Sequence, residues 1–388
     1  MILNNLLSVG DDNVINIRTN NDKITEVSSP VIDCSTDSLT LTFNNAIVFS
    51  GLINSHDHLD FNLFPQLGNK IYNNYTEWGK YIHQNYKAEI AGVLKIPAVL
   101  RAQWGIYKNL LCGVTTVVNH GEKLGTERDI ITVFEQTHCL HSAKFEKGWW
   151  FKLNNPLKKS LPANIHTGEG SDRMAENEID KLISWNLLRK KLIGVHAVAM
   201  TESQVKKFDA IVWCPQSNYF LLNKTAPVDM LNKYTTMLFG TDSTLTSDWD
   251  IWSHLQTARK TGLLSDEDIY RSLTTNAAEV WKLNSGEIAA GKDADIVVAN
   301  IKEGLTGYDA FFAVKPEDLL LVMRKGQVNM ADETIAAQLD VTDLKDFSKI
   351  YINGVCKYIK GDLPWLIKNI LKYTPETKFP VSLTQLVL

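Results

Sequence analysis

Val48-Phe-Ser-Gly-Leu-Ile-Asn-Ser-His-Asp-His-Leu-Asp-Phe-Asn62 is an apolar run that ends in a glycine, restarts at Leu52 and Ile53, and presents two histidines. Side chains two apart on a strand point to the same side, so His56 and His58 face one space from the end of one rigid element. That brings two neutral nitrogen donors onto one metal ion. Taken alone, the pair reads equally well as two partly buried histidines hydrogen-bonded to backbone.

From residue 50 to about 284, strand-like runs alternate with helical periodicity, the pattern of a parallel α/β architecture. Gly113-Val-Thr-Thr-Val-Val-Asn-His120, Ala163-Asn-Ile-His-Thr-Gly-Glu169, Ile193-Gly-Val-His196, Ala210-Ile-Val-Trp-Cys-Pro-Gln-Ser-Asn218 and Thr236-Met-Leu-Phe-Gly-Thr-Asp-Ser243 read as strands. Between them Ile179, Leu182, Ile183 and Leu187 recur at helical spacing. Thr201 with Gln204 makes a capping box, and Ser265 with Asp268 repeats a similar start. Between His120 and His166, Val133 to His138 and Trp149 to Leu153 read as strands, with little room for full crossover helices. The barrel is therefore expected to be trimmed around its third and fourth strands.

Residues 1 to 49 alternate apolar and polar in short runs, and the same texture returns at 285 to 330. The two ends are expected to pack together as one small β-sandwich domain flanking a (β/α)8 barrel at 50 to 284, with 331 to 388 as a C-terminal extension. In that extension Ile350-Tyr-Ile-Asn-Gly-Val355 reads as a strand with a turn, and Leu363 to Lys372 as a helix with Pro364 in its first turn.

The composition excludes several classes. A chain of 388 residues with a formal net charge of −4 has no basic stripe for nucleic acid and no acidic tail. Its N-terminus lacks the positive region and apolar length of a signal peptide, and no 18-residue apolar run follows, so the reading predicts a cytoplasmic chain off the membrane. Five scattered cysteines, Cys34, Cys112, Cys139, Cys214 and Cys356, argue against a disulfide framework and a zinc knuckle.

Several strands end in residues that bind metal or move protons: His56 and His58, His166 with Glu169, His196, and Asp242. In a parallel barrel such ends meet at one face. His120 ends the second strand and would face the same space as a substrate contact. The bland readings stay open: Glu169 as a solvated carboxylate, His196 as a core histidine, Asp242 as a turn cap. His83, His138, His141 and His254 have no spacing argument and read as ordinary. Trp78 reads as an exposed loop residue, with a pocket lid as the alternative.

Six motifs in order carry a resemblance. Gly51-Leu-Ile-Asn-Ser-His-Asp-His-Leu-Asp60, Gly113-Val-Thr-Thr-Val117, His166-Thr-Gly-Glu169, Cys214-Pro-Gln-Ser-Asn218, Gly240-Thr-Asp-Ser243 and Gly286 to Val298 resemble the amidohydrolase superfamily, in its cytosine-deaminase-like and chlorohydrolase-like branch. The resemblance implies that His56, His58, His166 and Asp242 hold one divalent metal, zinc or iron(II). It implies that Glu169 shuttles protons, that His196 orients the attacking water or polarises the substrate, and that Asp242 also takes the water's proton. Ser217 and Asn218 are implied as pocket residues. The activity implied is hydrolysis of C–N bonds other than peptide bonds: deamination of a small heterocyclic amine by a homo-oligomer. Two alternatives accompany it. One is a two-metal amide or cyclic-amide hydrolase in which Lys152, of Phe151-Lys-Leu153, is carbamylated and bridges the ions. The other is a catalytically silent scaffold.

Overall fold

The computed structural model describes residues 1–10, 13–29, 32, 39–122, 129–340 and 342–385. Its centre is a set of parallel strands in two sheets: β1 (Leu52–Asp57), β2 (Val114–Asn119) and β3 (Thr132–Phe134) in one, and β4 (His138–Ser142), β5 (Ala163–Thr167), β6 (Leu192–His196), β7 (Ala210–Trp213) and β8 (Thr236–Phe239) in the other. The sheets meet at a seam between β1 and the end of β8. There the backbone amides of Thr241 and Asp242 both donate to the His56 carbonyl at 3.0 Å, and Asp57 bridges Asp242 in parallel. Among the described residues no ladder joins β3 to β4, and residues 135–137 alone separate them.

Every residue of β1, β2, β5, β6 and β7 is buried. Parallel strands covered on both faces cannot alternate apolar and polar, and these read instead as runs of Val, Ile, Ala and Gly. The histidines of β1, β5 and β6 lie toward the carboxyl ends. The covering helices carry the expected signals. Asp172 caps Arg173–Trp185 by accepting from Ala175 N, and Ile179 and Leu182 are buried; Leu187 lies beyond the helix end and is exposed. The Thr201–Gln204 capping box is present, and Ser265 accepts from Asp268 N at 3.1 Å.

Two of the expected strands are different. The run from Val133 to His138 is interrupted, so that β3 ends at Phe134 and β4 begins at His138. Trp149–Leu153 is a single helical turn that starts after Gly148, whose φ is 69°. Trp149 and Leu153, four apart, are buried, whereas Trp150 and Phe151 are exposed. Burial at helical spacing has overridden the strand preference of adjacent aromatics.

Ten strands from both ends form one sheet, joined where Ala46–Ser50 runs antiparallel to Ile296–Asn300. Its period of two divides the side chains cleanly. Ile47, Phe49, Val297, Ala299 and Val322 enter the main core, while Ala46, Val48, Ile296, Val298, Leu321 and Met323 close a second core on the other face. The boundary expected at 330 falls inside the strand Gln327–Asp332, and the hairpin Phe347–Ile352 with Val355–Lys360 extends the same sheet. Helix Leu363–Leu371, with Pro364 in its first turn and Asp362 as its cap, sinks Leu366, Ile367 and Ile370 into the main core. No helix among the described residues is long and apolar enough to cross a membrane. Cys34 lies outside the described residues; Cys112, Cys139, Cys214 and Cys356 are free.

Helix Ala98–Leu110 passes closely behind the turn that follows β1. A Cβ at Gly105 would stand 2.2 Å from the Leu59 carbonyl oxygen, which is backbone and cannot swing away. Gly105→Ala is expected to cost about 2 kcal/mol of stability through the forced separation. Urea denaturation measures it, and an unchanged midpoint would contradict the close approach.

Candidate active site

The carboxyl ends of the strands converge as the alternating pattern requires. His56 is the fifth residue of β1 and His58 follows its end, His166 is the fourth residue of β5, and Asp242 lies three residues past β8. His166 Nε2 is 3.1 Å from His56 Nε2 and 3.3 Å from His58 Nε2, and Asp242 Oδ1 is 3.7 Å and 3.5 Å from the same two histidine atoms. All four residues are buried, and their donor atoms lie within 4.8 Å of one another. Burial lowers the pKa of each of the three imidazoles, so the ring nitrogens meet as neutral groups. Three imidazole nitrogens and a carboxylate oxygen crowded this closely form a donor set that fits a divalent cation.

The ligand atoms are fixed from behind. His166 Nδ1 donates to the His141 carbonyl at 2.7 Å, which leaves Nε2 as the lone-pair nitrogen toward the cluster. Asp242 Oδ2 accepts from Ser217 Oγ at 2.7 Å and Thr246 Oγ1 at 2.9 Å. Burial alone would raise the Asp242 carboxyl; the hydrogen bond from His56 and the neighbouring imidazoles hold it well below the carboxylate range. Asp242 and His196 sit at φ 58° and 72°, left-handed backbone that costs a non-glycine residue on the order of 1 kcal/mol or more.

Glu169 reaches the same space through the turn after β5, where Gly168 takes φ 61°. Its carbonyl accepts from Tyr75 N, and its Oε1 is 3.6 Å from His196 Nε2. Burial, reinforced by Asp242 and Glu178, raises the Glu169 carboxyl well above its usual range, which favours its protonated form. His196 Nδ1 lies 3.1 Å from Asn218 Oδ1 and donates to it, which turns Nε2 toward Glu169; burial keeps this imidazole neutral as well.

These residues open onto a cavity of about 590 Å³ whose outer wall is aromatic and aliphatic: Phe61, Tyr75, Trp78, Ile82, Phe145 and Leu245. Several of the expected site residues stand elsewhere. Ser217 and Asn218 are fully buried on the helix Pro215–Leu222, behind the site, where they hold Asp242 and His196; neither lines the cavity. His120 is packed among the cluster, its ring centroid 4.3 Å from that of His166, with no hydrogen-bond partner at either nitrogen, and it too is absent from the wall. Lys152 is half exposed on its helical turn and ion-pairs with Glu146 at 2.6 Å, away from the cluster. That placement removes the bridging role, because a helix has replaced the strand that would have aimed the lysine inward.

Other residues emerge that the motifs did not supply. His141, at the end of β4, and His83 line the cavity. Trp78 stands on helix Tyr75–Asn85 and donates from Nε1 to the Leu67 carbonyl, so it is a wall rather than a free loop. The signal was local: Asn74 accepts from Thr76 N and Glu77 N, a helix cap written as Asn-Tyr-Thr-Glu. Behind Tyr75, Glu178 receives its hydroxyl at 3.2 Å.

Two outcomes follow from this geometry. Elemental analysis should find about one divalent ion per chain, abolished in His166→Ala and retained in Lys152→Ala with or without bicarbonate; two ions dependent on Lys152 would overturn the assignment. Burial also pushes Glu178 from 4.5 up to about 7. Because the folded state holds that proton more tightly, the group's contribution to stability is full below the unfolded value and is lost as pH rises through the folded one. The loss between about pH 5 and pH 8 is on the order of 3 kcal/mol, and Glu178→Gln should flatten it in urea titrations. A decline that persists unchanged would place its origin elsewhere.

Comparison with known proteins agrees with this arrangement. Residues 158–328 match the amidohydrolase family. A 5-methylthioadenosine/S-adenosylhomocysteine deaminase of Pyrococcus abyssi is 26% identical over 187 residues, which is 43% of this chain and 44% of that protein. The chain thus matches less than half the length of this curated relative. An adenosine deaminase from Xanthomonas campestris solved with bound zinc has a TM-score of 0.69 at 15% identity, covering 97% of this chain and 98% of that one. The atrazine chlorohydrolase of Arthrobacter aurescens TC1, complexed with zinc, gives 0.67 at 15% identity over 96% and 99%. The family match spans the strands that carry His166, His196 and Asp242, and the solved structures share the fold from end to end.

Proposed function

We propose that this chain is a zinc- or iron(II)-dependent hydrolase that releases ammonia from a small heterocyclic amine of pyrimidine, purine or triazine type. The observation that carries the reading is the placement of the buried Glu169 carboxyl beside His196, on the wall of an aromatic cavity that His58, His166 and Asp242 also line. Relatives and fold neighbours named as deaminases of methylthioadenosine, adenosine and guanine support it. A divalent ion held by these four residues would supply Lewis acidity and a water of lowered pKa.

The chain's own groups do the rest. Hydrolysis of an amine-bearing ring carbon forms a C–O bond and breaks a C–N bond, with water consumed and ammonia released. Glu169 Oε holds the proton that the ring nitrogen needs as aromaticity is lost. Asp242, kept ionised by its neighbours, receives a proton from water at its carboxylate. Glu169, left ionised by its transfer to the ring nitrogen, takes the proton of the added hydroxyl and passes it to the departing amine, and the proton on Asp242 restores Glu169 to its starting state, so two carboxyls with opposite charge preferences divide the work. His196, fixed through Nδ1 by Asn218, offers Nε2 to orient the attacking oxygen. His120, if it acts on substrate, does so from behind the ligand rings.

We read 50–284 as the catalytic barrel, trimmed at β3 and β4, with the two ends forming a β-sandwich-type domain in a cytoplasmic homo-oligomer. Neither a two-metal amidase nor a silent scaffold has an observation in its favour. The test is ammonia release by metal-loaded protein across aminopurines, their nucleosides, aminopyrimidines and aminotriazines. Glu169→Gln should lower kcat on the best substrate by about 100-fold or more while metal content is unchanged. No ammonia from any member of the panel would remove the deaminase reading, and an unimpaired Gln variant would remove the shuttle.

A further inference from the structure

The β1–β8 seam carries the ligand set on one side and a buried polar cluster on the other. His56 and His58 turn toward the cluster with His166 and Asp242, so Asp57 between them points the opposite way, into a space closed by helix Ala98–Leu110. Asp57 Oδ2 there accepts from Lys108 Nζ at 3.1 Å, Asn109 Nδ2 at 2.8 Å and Asn54 Nδ2 at 3.3 Å, and its Oδ1 accepts from Asn62 Nδ2 at 2.7 Å. Lys108 Nζ also reaches Thr241 Oγ1 at 3.4 Å, and Asn54 Nδ2 donates to the same oxygen at 2.8 Å. Asp57, Lys108, Asn109, Asn54 and Thr241 are each at most 2% exposed, and none of them lines the cavity.

The cluster therefore spans the seam. Asp57, the last residue of β1, stands between His56 and His58, Thr241 adjoins Asp242 past β8, and Lys108 from the helix behind touches both. The seam's backbone pairing is sparse, with the His56 carbonyl shared by two amides. Side chains must supply the remaining registration. We propose that Lys108 is a positioning residue whose bridge between Asp57 and Thr241 fixes the distance between the His56 and His58 half of the metal site and Asp242. Packing alone has no need of a cation at this point: a methionine fills the same volume, and a buried charge is kept at a desolvation cost that only its partners offset. What the lysine adds is one donor group held between two strands.

The inference rests on the metal reading above. Its test compares zinc release to an excess of a chromophoric chelator for the full-length wild type, Lys108→Met, Thr241→Val and Lys357→Met, beside urea unfolding of the metal-free proteins. Lys357 is the control: it is fully buried in the terminal sheet, bonded to the Leu319 carbonyl, and far from the ligands in the fold. Lys108→Met should release zinc about 10- to 100-fold faster, the range seen when groups supporting metal ligands are removed. Thr241→Val, which buries no orphan charge, should move in the same direction and carries the test if Lys108→Met does not fold. Lys357→Met should lose stability with its release rate unchanged. Release within about twofold of wild type in both seam variants, or acceleration in Lys357→Met equal to theirs, overturns the positioning role. A wild type that takes up no zinc overturns the metal reading and this inference with it.

Discussion

Three imidazole nitrogens and a carboxylate oxygen are held within 4.8 Å of one another inside a protein core, and much of the remaining architecture makes that crowding tolerable. Left to themselves such groups would rotate apart or recruit water. They are prevented by bonds that are individually modest, on the order of 1 kcal/mol each, but that act in different directions. The His141 carbonyl fixes one ring, Ser217 and Thr246 fix the carboxylate, and Asn218 fixes His196. They come from the end of β4 and the segments after β7 and β8, so the site is only as rigid as the registration of the strands.

That dependence explains what could be read from the chain. His56 and His58 were legible because a strand's period of two is local, and so were the ends of β2, β5, β6 and β8, whose continuous apolar runs are what parallel strands buried on both faces require. His56, His58, His166 and Asp242 lie together at the strand ends, with Glu169 beside His196. The helix at Trp149–Leu153 was misread because Trp-Trp-Phe favours a strand locally, while the burial of Trp149 and Leu153 that decides the matter is tertiary. With it went the geometry Lys152 needed to reach a metal.

Other residues were illegible for a different reason. Ser217 and Asn218 sit in a recognisable motif, yet whether they face the cavity or the ligands depends on how the helix after β7 rolls. His141 contributes its backbone carbonyl to His166, a role for which residue type carries no signal. Lys108 and Asp57 are 51 positions apart, and Thr241 is a further 133 from the lysine. In sequence, Lys108 looks like any cation on an amphipathic helix. The boundary at 330 failed similarly, since the hairpin 347–360 joins the sheet through Met330 and Ile359, a pairing that no local turn announces.

The electrostatics of the cavity pose a sharper problem than its shape. Glu169 and Asp242 share one low-dielectric space, yet the first carboxyl is shifted well up and the second well down. Burial pushes both upward, so the difference arises from partners. Asp242 accepts from two hydroxyls and faces imidazoles, whereas among the described contacts Glu169 has a single imidazole at 3.6 Å and feels two other carboxyls. Each carboxyl also enforces the other's state, because ionised Asp242 raises the cost of charging Glu169. A cation among the four ligands strengthens the first member of this pair, since it favours the carboxylate it touches. The asymmetry that proton transfer needs is thus present in the folded chain before any substrate enters, and it follows from which carboxyl has hydroxyls behind it.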